Sequence, residues 1–215
     1  EITLDRPVQG LRLGVLRDLP DLNTESSRAL AVAADALRDA GCKIIEVELA
    51  EFDAVNALAM QVFGHEAAAS HRDVLRNSAA KIHPEVRERL LRGSSVSAEA
   101  YRSAIDAAET ERERFLRTAF AHANALLLPA APTENTDRGM HANPIDPGRY
   151  TRAFNYLGMP ALALPMGFDS SGLPLGMQLV GKPFEEALLL NLGHQYQLVT
   201  DWHLRRPPGA VSPNS

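Results

Sequence analysis

The chain is poor in the residues that mark several functional classes. Its single cysteine, Cys42, excludes an internal disulfide and fits a reducing compartment, so the cytoplasm is the default expectation. Only Lys43, Lys81 and Lys182 are lysines. A formal net charge of -5, without a long Lys/Arg cluster, argues against nucleic-acid binding. No apolar run approaches the ~20 residues of a membrane span, and no signal-peptide pattern opens the chain.

The length permits one domain with a sizeable core. Chains of 215 residues bury about 70% of their unfolded surface when they fold. We expect residues 1–204 to form one α/β unit, and the Pro- and Ser-containing residues 205–215 to be a disordered tail. Because the first residue is Glu1 rather than Met, a processed chain, an excised domain and an incomplete sequence all stay open as alternatives.

The clearest local pattern lies in the C-terminal third. Short apolar runs at Ala161–Leu164 and Leu175–Val180 have the length of strands and are bounded by Gly and Pro. The residues between them, Asp169–Gly172, have turn chemistry. Both runs are apolar on both faces, so we expect both strands in the interior of a covered sheet. A helix over Tyr150–Leu157, stopped by Gly158, is predicted just before them.

The rest of the pattern alternates strands and helices. Further strands are predicted at Leu11–Leu16, Lys43–Leu49 and Ala125–Leu128. Further helices are predicted at roughly Thr24–Ala40, with Thr24 as N-cap, and at Ala54–Leu75, Pro84–Leu91, Ala98–Ala121 and Glu185–Val199. The fold class that follows is α/β: a mixed sheet flanked by helices, with a helical insertion at about 53–122.

An ordered set of motifs in the C-terminal region resembles the amidase signature enzymes. The order is FN-x-x-G-x-P-A, P-x-G, GLP-x-G-x-Q-L-x-G and a leucine-rich helix; it falls on Asn155, Gly158, Pro160, Ala161, Pro165, Gly167, Gly172, Leu173, Pro174, Gly176, Gln178 and Gly181. Upstream, Leu126–Asn135 resembles the family's apolar strand and Pro-rich loop, and Leu11–Asp18 resembles the strand that opens its second half. The resemblance covers roughly Leu11 to Thr200 and implies a partial amidase signature fold.

The resemblance also implies that the catalytic half is missing. The family uses a serine nucleophile, a bridging serine and a lysine kept neutral by burial, and these motifs precede the region matched here. Gly93-Ser94-Ser95 is a poor substitute, because it lies between two predicted helices and no glycines follow to form an anion-binding turn. Ser97 is a natural N-cap for the next helix. We therefore expect no catalytic residue and no cofactor in this chain.

A zinc site is disfavoured by the spacing of the histidines. The HExxH motif places two histidines four residues apart on one helix face. Here His65-Glu66 is followed by Ala69, and the next histidine is His71. Glu66 and His71 are better interpreted as a hydrogen-bonding pair on the helix, or simply as surface residues. No metal is expected.

The Pro129–Asn135 loop and the Tyr150–Asn155 segment flank an apolar strand end, where α/β sheets commonly place ligands. In the family the corresponding regions help to wall the acyl pocket, so the resemblance implies Thr133, Tyr150, Phe154 and Asn155 as substrate-binding candidates. Phe63, on the first inserted helix, is a further candidate for the same cavity, and ordinary packing or solvation stays the alternative for each. Gln178, in the second strand of the C-terminal pair, is expected to be a buried hydrogen-bonding residue rather than a ligand contact.

One departure from the family concerns the substrate. Amidotransferase A-subunits of this type carry an arginine, suited to a substrate carboxylate, on the long helix before the apolar strand. Here that region reads Ala107-Ala108-Glu109, with Arg112 nearby. This favours a broader amide or urea-type substrate over that of glutaminyl-tRNA amidotransferase.

Two functional hypotheses follow. The first is the C-terminal portion of an amidase, which needs the missing N-terminal catalytic half or self-associates, and which contacts a small-molecule amide in the complete enzyme. The alternative is a non-catalytic binding or partner subunit that keeps the fold. Neither hypothesis includes a nucleic-acid or membrane partner.

Overall fold

The computed structural model describes residues 4–49, 51–132 and 146–207, and within them one mixed sheet is flanked by helices. The strands are β1 Arg12–Leu16, β2 Lys43–Val47, β3 Ala125–Pro129, β4 Ala161–Phe168 and β5 Pro174–Val180. The helices are α1 Thr24–Asp39, α2 Phe52–Ser70, α3 Arg72–Ser78, α4 Pro84–Ser94, α5 Ala98–Thr118, α6 Arg152–Tyr156 and α7 Glu186–Val199.

The sheet has the strand order β2-β1-β3-β5-β4. β1 pairs in parallel with β2 and with β3, whereas β5 pairs antiparallel with β3 and with β4. Helices α2 to α5 all come between β2 and β3 in the chain. The expected α/β fold with a mixed sheet and a helical insertion is therefore confirmed.

Two hydrophobic clusters cover the opposite faces of the sheet. Successive residues of β3 divide between them: Leu127 belongs to the cluster under α1 and α7, while Leu126 and Leu128 belong to the cluster under α2, α5 and α6. Because successive side chains of a strand point to opposite faces, this division places helices on both sides of β3. Full burial of each such side chain contributes about 1.5–3 kcal/mol.

The expectation that both C-terminal strands lie inside the sheet is wrong for β4. β5 lies between β3 and β4, but β4 is the last strand of the described sheet and its other edge has no strand beside it. Ala161 and Ala163 are exposed. An apolar sequence indicates how well a strand's faces are covered, but it carries no information about whether both edges are paired.

The turn between these strands agrees with its sequence. Asp169 accepts hydrogen bonds through Oδ1 from the N–H groups of Ser171 (2.9 Å) and Leu173 (2.8 Å). Gly172 has φ +82°, which glycine adopts without the steric cost that other residues bear. The short connection makes β4 and β5 a hairpin.

Two details of the helices differ from expectation. Asn23, not Thr24, caps α1, because its Oδ1 accepts from the N–H of Ser26 at 2.7 Å; asparagine is the stronger capping residue of the two. The spacing of apolar residues predicts that α7 buries Ala187, Leu188, Leu190, Leu192, Tyr196 and Val199. The buried side instead includes Leu189 with Leu192 and Tyr196, whereas Leu190 and Val199 are exposed. Three leucines in a row, at 188–190, make it impossible to tell from spacing alone which of them faces the core. The spacing in α1 predicts a buried stripe of Leu30, Ala33, Ala34, Leu37 and Ala40; the first four are buried and Ala40 is partly buried against them.

Candidate functional site

A cleft of about 280 Å³ lies where β1 and β2 end, and we call it the strand-end cleft. Its walls are the residues that follow the two strands, the start of α2, and the segment before α6: Leu16, Arg17, Asp18, Pro20, Val47, Glu48, Leu49, Phe52, Asp53, Arg149 and Tyr150. The carboxyl ends of parallel strands are the usual place for ligands in α/β sheets. This position makes the cleft a candidate site.

Tyr150 forms the inner wall of the cleft and is held from three directions. Its ring stacks on Phe52, with centroids 6.2 Å apart, and its hydroxyl donates a hydrogen bond to the carbonyl of Pro20. Gln178 is buried, and its amide Nε2 donates to the carbonyl oxygens of Tyr150 (2.7 Å) and Pro129 (3.1 Å). The expected role of Gln178 as a buried hydrogen-bonding residue is thus confirmed. Burial raises the pKa of Tyr150 to about 12, so its hydroxyl stays a neutral donor.

Arg149, which precedes Tyr150 in the chain, is one of the two arginines that line the cleft. Its guanidinium pairs with Asp53 at 2.8 Å and with Asp21 at 3.4 Å. Its Nε is buried without a hydrogen-bond partner in the described part of the chain. Arg17, the second arginine of the cleft, is likewise engaged, by Glu46 and Glu48. Because carboxylates already neutralise both arginines and Asp18 adds a further negative charge, the cleft does not favour an anionic ligand.

The residues predicted to bind substrate do not form one pocket among themselves. Tyr150 lines the cleft, but Phe154 is 1% exposed and packs inside the core against Phe52 and Phe115, with ring centroids 5.9 Å and 5.8 Å apart. Asn155 is exposed on α6. Phe63 lies ten residues beyond Asp53, which is about 15 Å along α2. Thr133 lies outside the described residues.

Phe63 belongs to an apolar surface on α2 that sequence reasoning found only in part. Phe63 is 43% exposed, and Met60, which is 49% exposed, lies one turn before it on the same side of the helix. No signal in the sequence distinguished Met60 from a core residue, because the α2 sequence is rich in alanine and other apolar residues throughout. The two side chains give α2 an apolar outer face.

The region where an arginine is expected from the resemblance carries an ion pair. Glu109 and Arg112 bond to each other on α5. A Cβ added to Gly158 would lie 3.6 Å from the Arg112 guanidinium, so this pair lies beside the C-terminal end of α6. The charge of Arg112 is therefore partly neutralised within the chain.

The serine-rich segment is a helix connection, as expected. The hydroxyls of Ser94 and Ser95 donate at 2.7 Å to the carbonyls of Leu91 and Arg92, and Ser97 caps α5 by accepting from the N–H of Ala100 at 3.1 Å. Of the three lysines, Lys43 and Lys81 are exposed and Lys182 is half-buried. None of the three is buried.

The histidines of α2 make local contacts. His65 stacks on Tyr101 of α5, with centroids 4.4 Å apart, and its Nδ1 bonds the carbonyl of Val96 at 3.2 Å. Glu66 and His71 do not bond each other: Glu66 accepts from the Tyr101 hydroxyl at 2.9 Å, whereas His71 bonds the carbonyl of Ala67 in its own helix. Both are exposed, so the alternative that they are surface residues is the correct one. The described residues hold no group of His, Cys, Asp and Glu that could bind a metal.

Comparisons with known proteins agree with this architecture. The profile of the family described as Amidase matches residues 3–190. The glutamyl-tRNA(Gln) amidotransferase A-subunit of Neisseria meningitidis serogroup B is 33% identical over 232 residues, covering 95% of this chain and 48% of the relative. The A-subunit of the same name from Roseiflexus sp. is 34% identical over 242 residues, with coverages of 96% and 48%. A crystal structure described as amidase superposes with a TM-score of 0.78 at 29% identity, over 90% of this chain and 46% of that one.

Proposed function

The chain belongs to the amidase family, and from that premise we propose that it is the C-terminal portion of an amidase, inactive alone. In this role it supplies sheet, hydrophobic core and part of the acyl pocket. One observation carries the proposal: the chain spans about half the length of the curated relatives it matches, 48% for the Neisseria protein, while 95% of the chain itself is matched.

The catalytic residues of the complete enzyme come from the other half. There, the nucleophilic serine oxygen attacks the amide carbon, the C–N bond breaks, and the amine leaves with the proton relayed through the second serine and the lysine. Water then attacks the acyl-enzyme, which releases the acid and restores the serine. The lack of a buried lysine among the described residues supports the assignment of this chemistry to the other half.

This chain contributes walls to the acyl pocket. We assign that role to Phe63, Thr133, Tyr150 and Asn155, and a supporting substrate-binding role to Phe154. The neutral hydroxyl of Tyr150 and the exposed apolar ring of Phe63 suit an uncharged acyl group. Phe154 acts from the core, by holding Phe52 and hence the ring of Tyr150 in place.

The substrate proposed is a small amide or urea-type molecule. The Glu109–Arg112 pair supports a substrate without a carboxylate, because the arginine is already engaged. The names of the curated relatives favour the opposite choice, the transfer reaction of the amidotransferase. The kcat/KM values of the complete enzyme for glutamine and for a neutral amide distinguish the amidotransferase reaction from hydrolysis of a neutral substrate.

The decisive experiment compares the 215-residue chain with a longer product that includes any coding sequence preceding it in frame. We expect the longer product to hydrolyse aryl or aliphatic amides, and the 215-residue chain to show no steady turnover. Steady hydrolysis by the shorter chain, abolished by Ser95→Ala, would overturn the proposal. An intact mass of the native protein shows which of the two exists in the cell.

The second candidate is a non-catalytic binding or partner subunit. The strand-end cleft supports it, because a cavity lined by the neutral hydroxyl of Tyr150 and the paired guanidinium groups of Arg17 and Arg149 offers ligand-sized space without needing a catalytic residue. If the intact mass of the native protein equals that of this chain, the non-catalytic subunit is the better explanation. We place either protein in the cytoplasm, without a nucleic-acid partner. No helix in the described ranges has the length and apolar character to cross a membrane.

A further inference from the structure

A second cavity lies among α2, α3 and α4, and we call it the helical cavity. It has a volume of about 390 Å³, which is within the range of small-molecule sites. Ala68, Leu75 and Leu91 are among its apolar walls, and Arg72 and Arg76 are its cationic ones. Nothing in the proposed amidase role uses these residues.

Small residues shape the two long helices around this cavity. A Cβ added to Gly93 would lie 2.1 Å from the carbonyl oxygen of Gly64, so α4 approaches α2 as closely as backbone contact allows. Next to this contact, α2 presents Ala68 and Ala69 to the cavity. Larger side chains at these two positions would fill the space. The cavity therefore results from the fold of α2 and α4 and not from an open loop.

The two arginines of the cavity are unpaired within the part of the chain that the structure describes. Arg72 and Arg76 are four residues apart on α3 and share one side of that helix. Neither side chain forms an ion pair or a hydrogen bond with another residue of the described ranges. Two carboxylates on neighbouring helices are already engaged: Glu66 accepts from Tyr101, and Glu88 pairs with Arg92 at 2.8 Å.

The remaining charged and polar groups nearby do not oppose an anion. Asp73 follows Arg72 directly, so it points about 100° away around α3. His65 donates its Nδ1–H to the carbonyl of Val96 (3.2 Å), so this N–H is not available to a ligand in the cavity. The hydroxyl of Ser94 donates to the carbonyl of Leu91. The cavity thus combines apolar walls with two guanidinium groups that have no partner among the residues the structure describes.

We propose that the helical cavity binds a small organic carboxylate with an apolar body of about the size of benzoate. Arg72 and Arg76 hold the carboxylate, as guanidinium groups do in bidentate pairs, and Ala68, Leu75 and Leu91 contact the apolar part. The site is separate from the strand-end cleft: His65 lies twelve residues beyond Asp53 on α2, about 18 Å away.

The test is a titration of the ¹⁵N-labelled 215-residue protein with benzoate, followed by NMR. We expect saturable shifts of the backbone amide signals of Ala68, Leu75 and Leu91. Benzyl alcohol, which lacks the charge, should bind at least tenfold more weakly. Because the guanidinium groups are exposed, raising the salt concentration from about 50 mM to about 500 mM should weaken benzoate binding.

Matched double variants make the test specific. Arg72→Gln with Arg76→Gln should weaken benzoate binding at least tenfold, the factor equivalent to ~1.4 kcal/mol and typical of one charge-assisted hydrogen bond. Arg28→Gln with Arg102→Gln, which removes two exposed charges from α1 and α5, should leave it unchanged. Shifts confined to the strand-end cleft, no saturable shift, or equal weakening by the two double variants would each overturn the proposal.

Discussion

At the scale of single residues, Gly158 decides how the chain leaves α6 and enters β4. It has φ +64°, its N–H bonds the carbonyl of Asn155 at 3.2 Å, and the N–H of Met159 bonds that of Phe154 at 2.9 Å. This is the Schellman motif, and Met159 and Phe154 also pack in one core cluster. The positive φ, and not a lack of space, is why glycine fits here, since only Arg112 comes near an added Cβ.

Replacing Gly158 by valine should therefore disrupt folding and not merely chemistry. We expect Gly158→Val to lower the free energy of unfolding by at least about 1–3 kcal/mol, because a β-branched residue resists positive φ. Gly158→Asn is the matched control: asparagine tolerates the left-handed region and should retain most of the stability. Equal losses in the two variants, or an unchanged thermal midpoint in Gly158→Val, would contradict the capping role.

Tyr150 should make the stability depend on pH in the alkaline range. Burial raises its pKa to about 12, above the usual value of about 10 for an unfolded chain, so folding favours the neutral phenol. Its stabilising contribution is complete below pH ~10 and is lost as the pH rises towards about 12. Between pH ~10 and about 12, the free energy of unfolding of the unaltered chain should fall with rising pH more steeply than that of Tyr150→Phe. The difference in slope should reach up to about 1.4 kcal/mol per pH unit.

Urea unfolding of both proteins at several pH values measures this difference. Tyr196 and Cys42, whose pKa values burial also raises, to about 12 and about 11, are present in both proteins and cancel. At neutral pH the variant should be less stable by about 0.5–1.5 kcal/mol, since it loses the hydrogen bond to Pro20. If the unfolding free energies of the two proteins fell in parallel across the alkaline range, folding would not raise the pKa of Tyr150.

At the scale of secondary-structure elements, the contact between α2 and α4 rests on Gly64 and Gly93. In an exposed helix, Gly→Ala usually stabilises by roughly 0.5–1 kcal/mol. At Gly93 the added Cβ would lie 2.1 Å from the backbone of α2, so we expect Gly93→Ala to destabilise by about 1–3 kcal/mol instead. At Gly64 the nearest atom is 3.2 Å away, so Gly64→Ala should cost less. Chemical denaturation of both variants checks the order, and a stabilising Gly93→Ala would disprove the close contact.

The elements themselves were largely predictable from the sequence. Apolar runs bounded by Gly and Pro indicated the strands, and the motif order indicated the family. The cap at Asn23 and the buried side of α7 were missed because neighbouring residues offered equal alternatives: Asn23 beside Thr24, and three leucines in a row. The edge position of β4 was missed because strand pairing depends on residues far apart in the chain.

The candidate site was predictable only where the resemblance reached it. Tyr150 was found in this way. Its neighbours Arg149 and Asp53 were not, since 96 positions separate the two partners and their pairing depends on α2 folding back beside the segment before α6. Such long-range pairs leave no periodic signal in a single sequence.

At the scale of the whole molecule, the two outer strands of the described sheet differ in how they are protected. β2 carries Lys43 and Glu46, and Glu46 pairs with Arg17 at 3.2 Å. Charges of this kind discourage a further strand from pairing. β4 has no charged residue. In its second half, Pro165 lacks an N–H and a bulge follows, so its open edge is Ala161–Leu164.

Exposed apolar side chains lie on two segments that contact β4 or the residue before it. Phe184 is 93% exposed and lies three residues after Gly181, whose N–H bonds the carbonyl of Pro160 next to β4. Leu190, 39% exposed, lies one turn before Gly193, which packs on Leu162. Ala161 and Ala163 are exposed as well. We call these residues together the β4 edge surface.

We expect the isolated chain to self-associate through the β4 edge surface. An open, uncharged strand edge beside apolar side chains pairs readily with another chain, and a symmetric dimer that pairs the two edges is the simplest arrangement. Sedimentation at micromolar concentration should show a dimer.

Ala163→Lys should convert this dimer to a monomer, because it places two like charges in the shared interface. Ala31→Lys adds the same charge at an exposed position of α1 and should leave the dimer intact. A compact monomer that does not bind the hydrophobic dye ANS would mean that this surface needs no partner, and the half-enzyme proposal would then yield to the standalone protein.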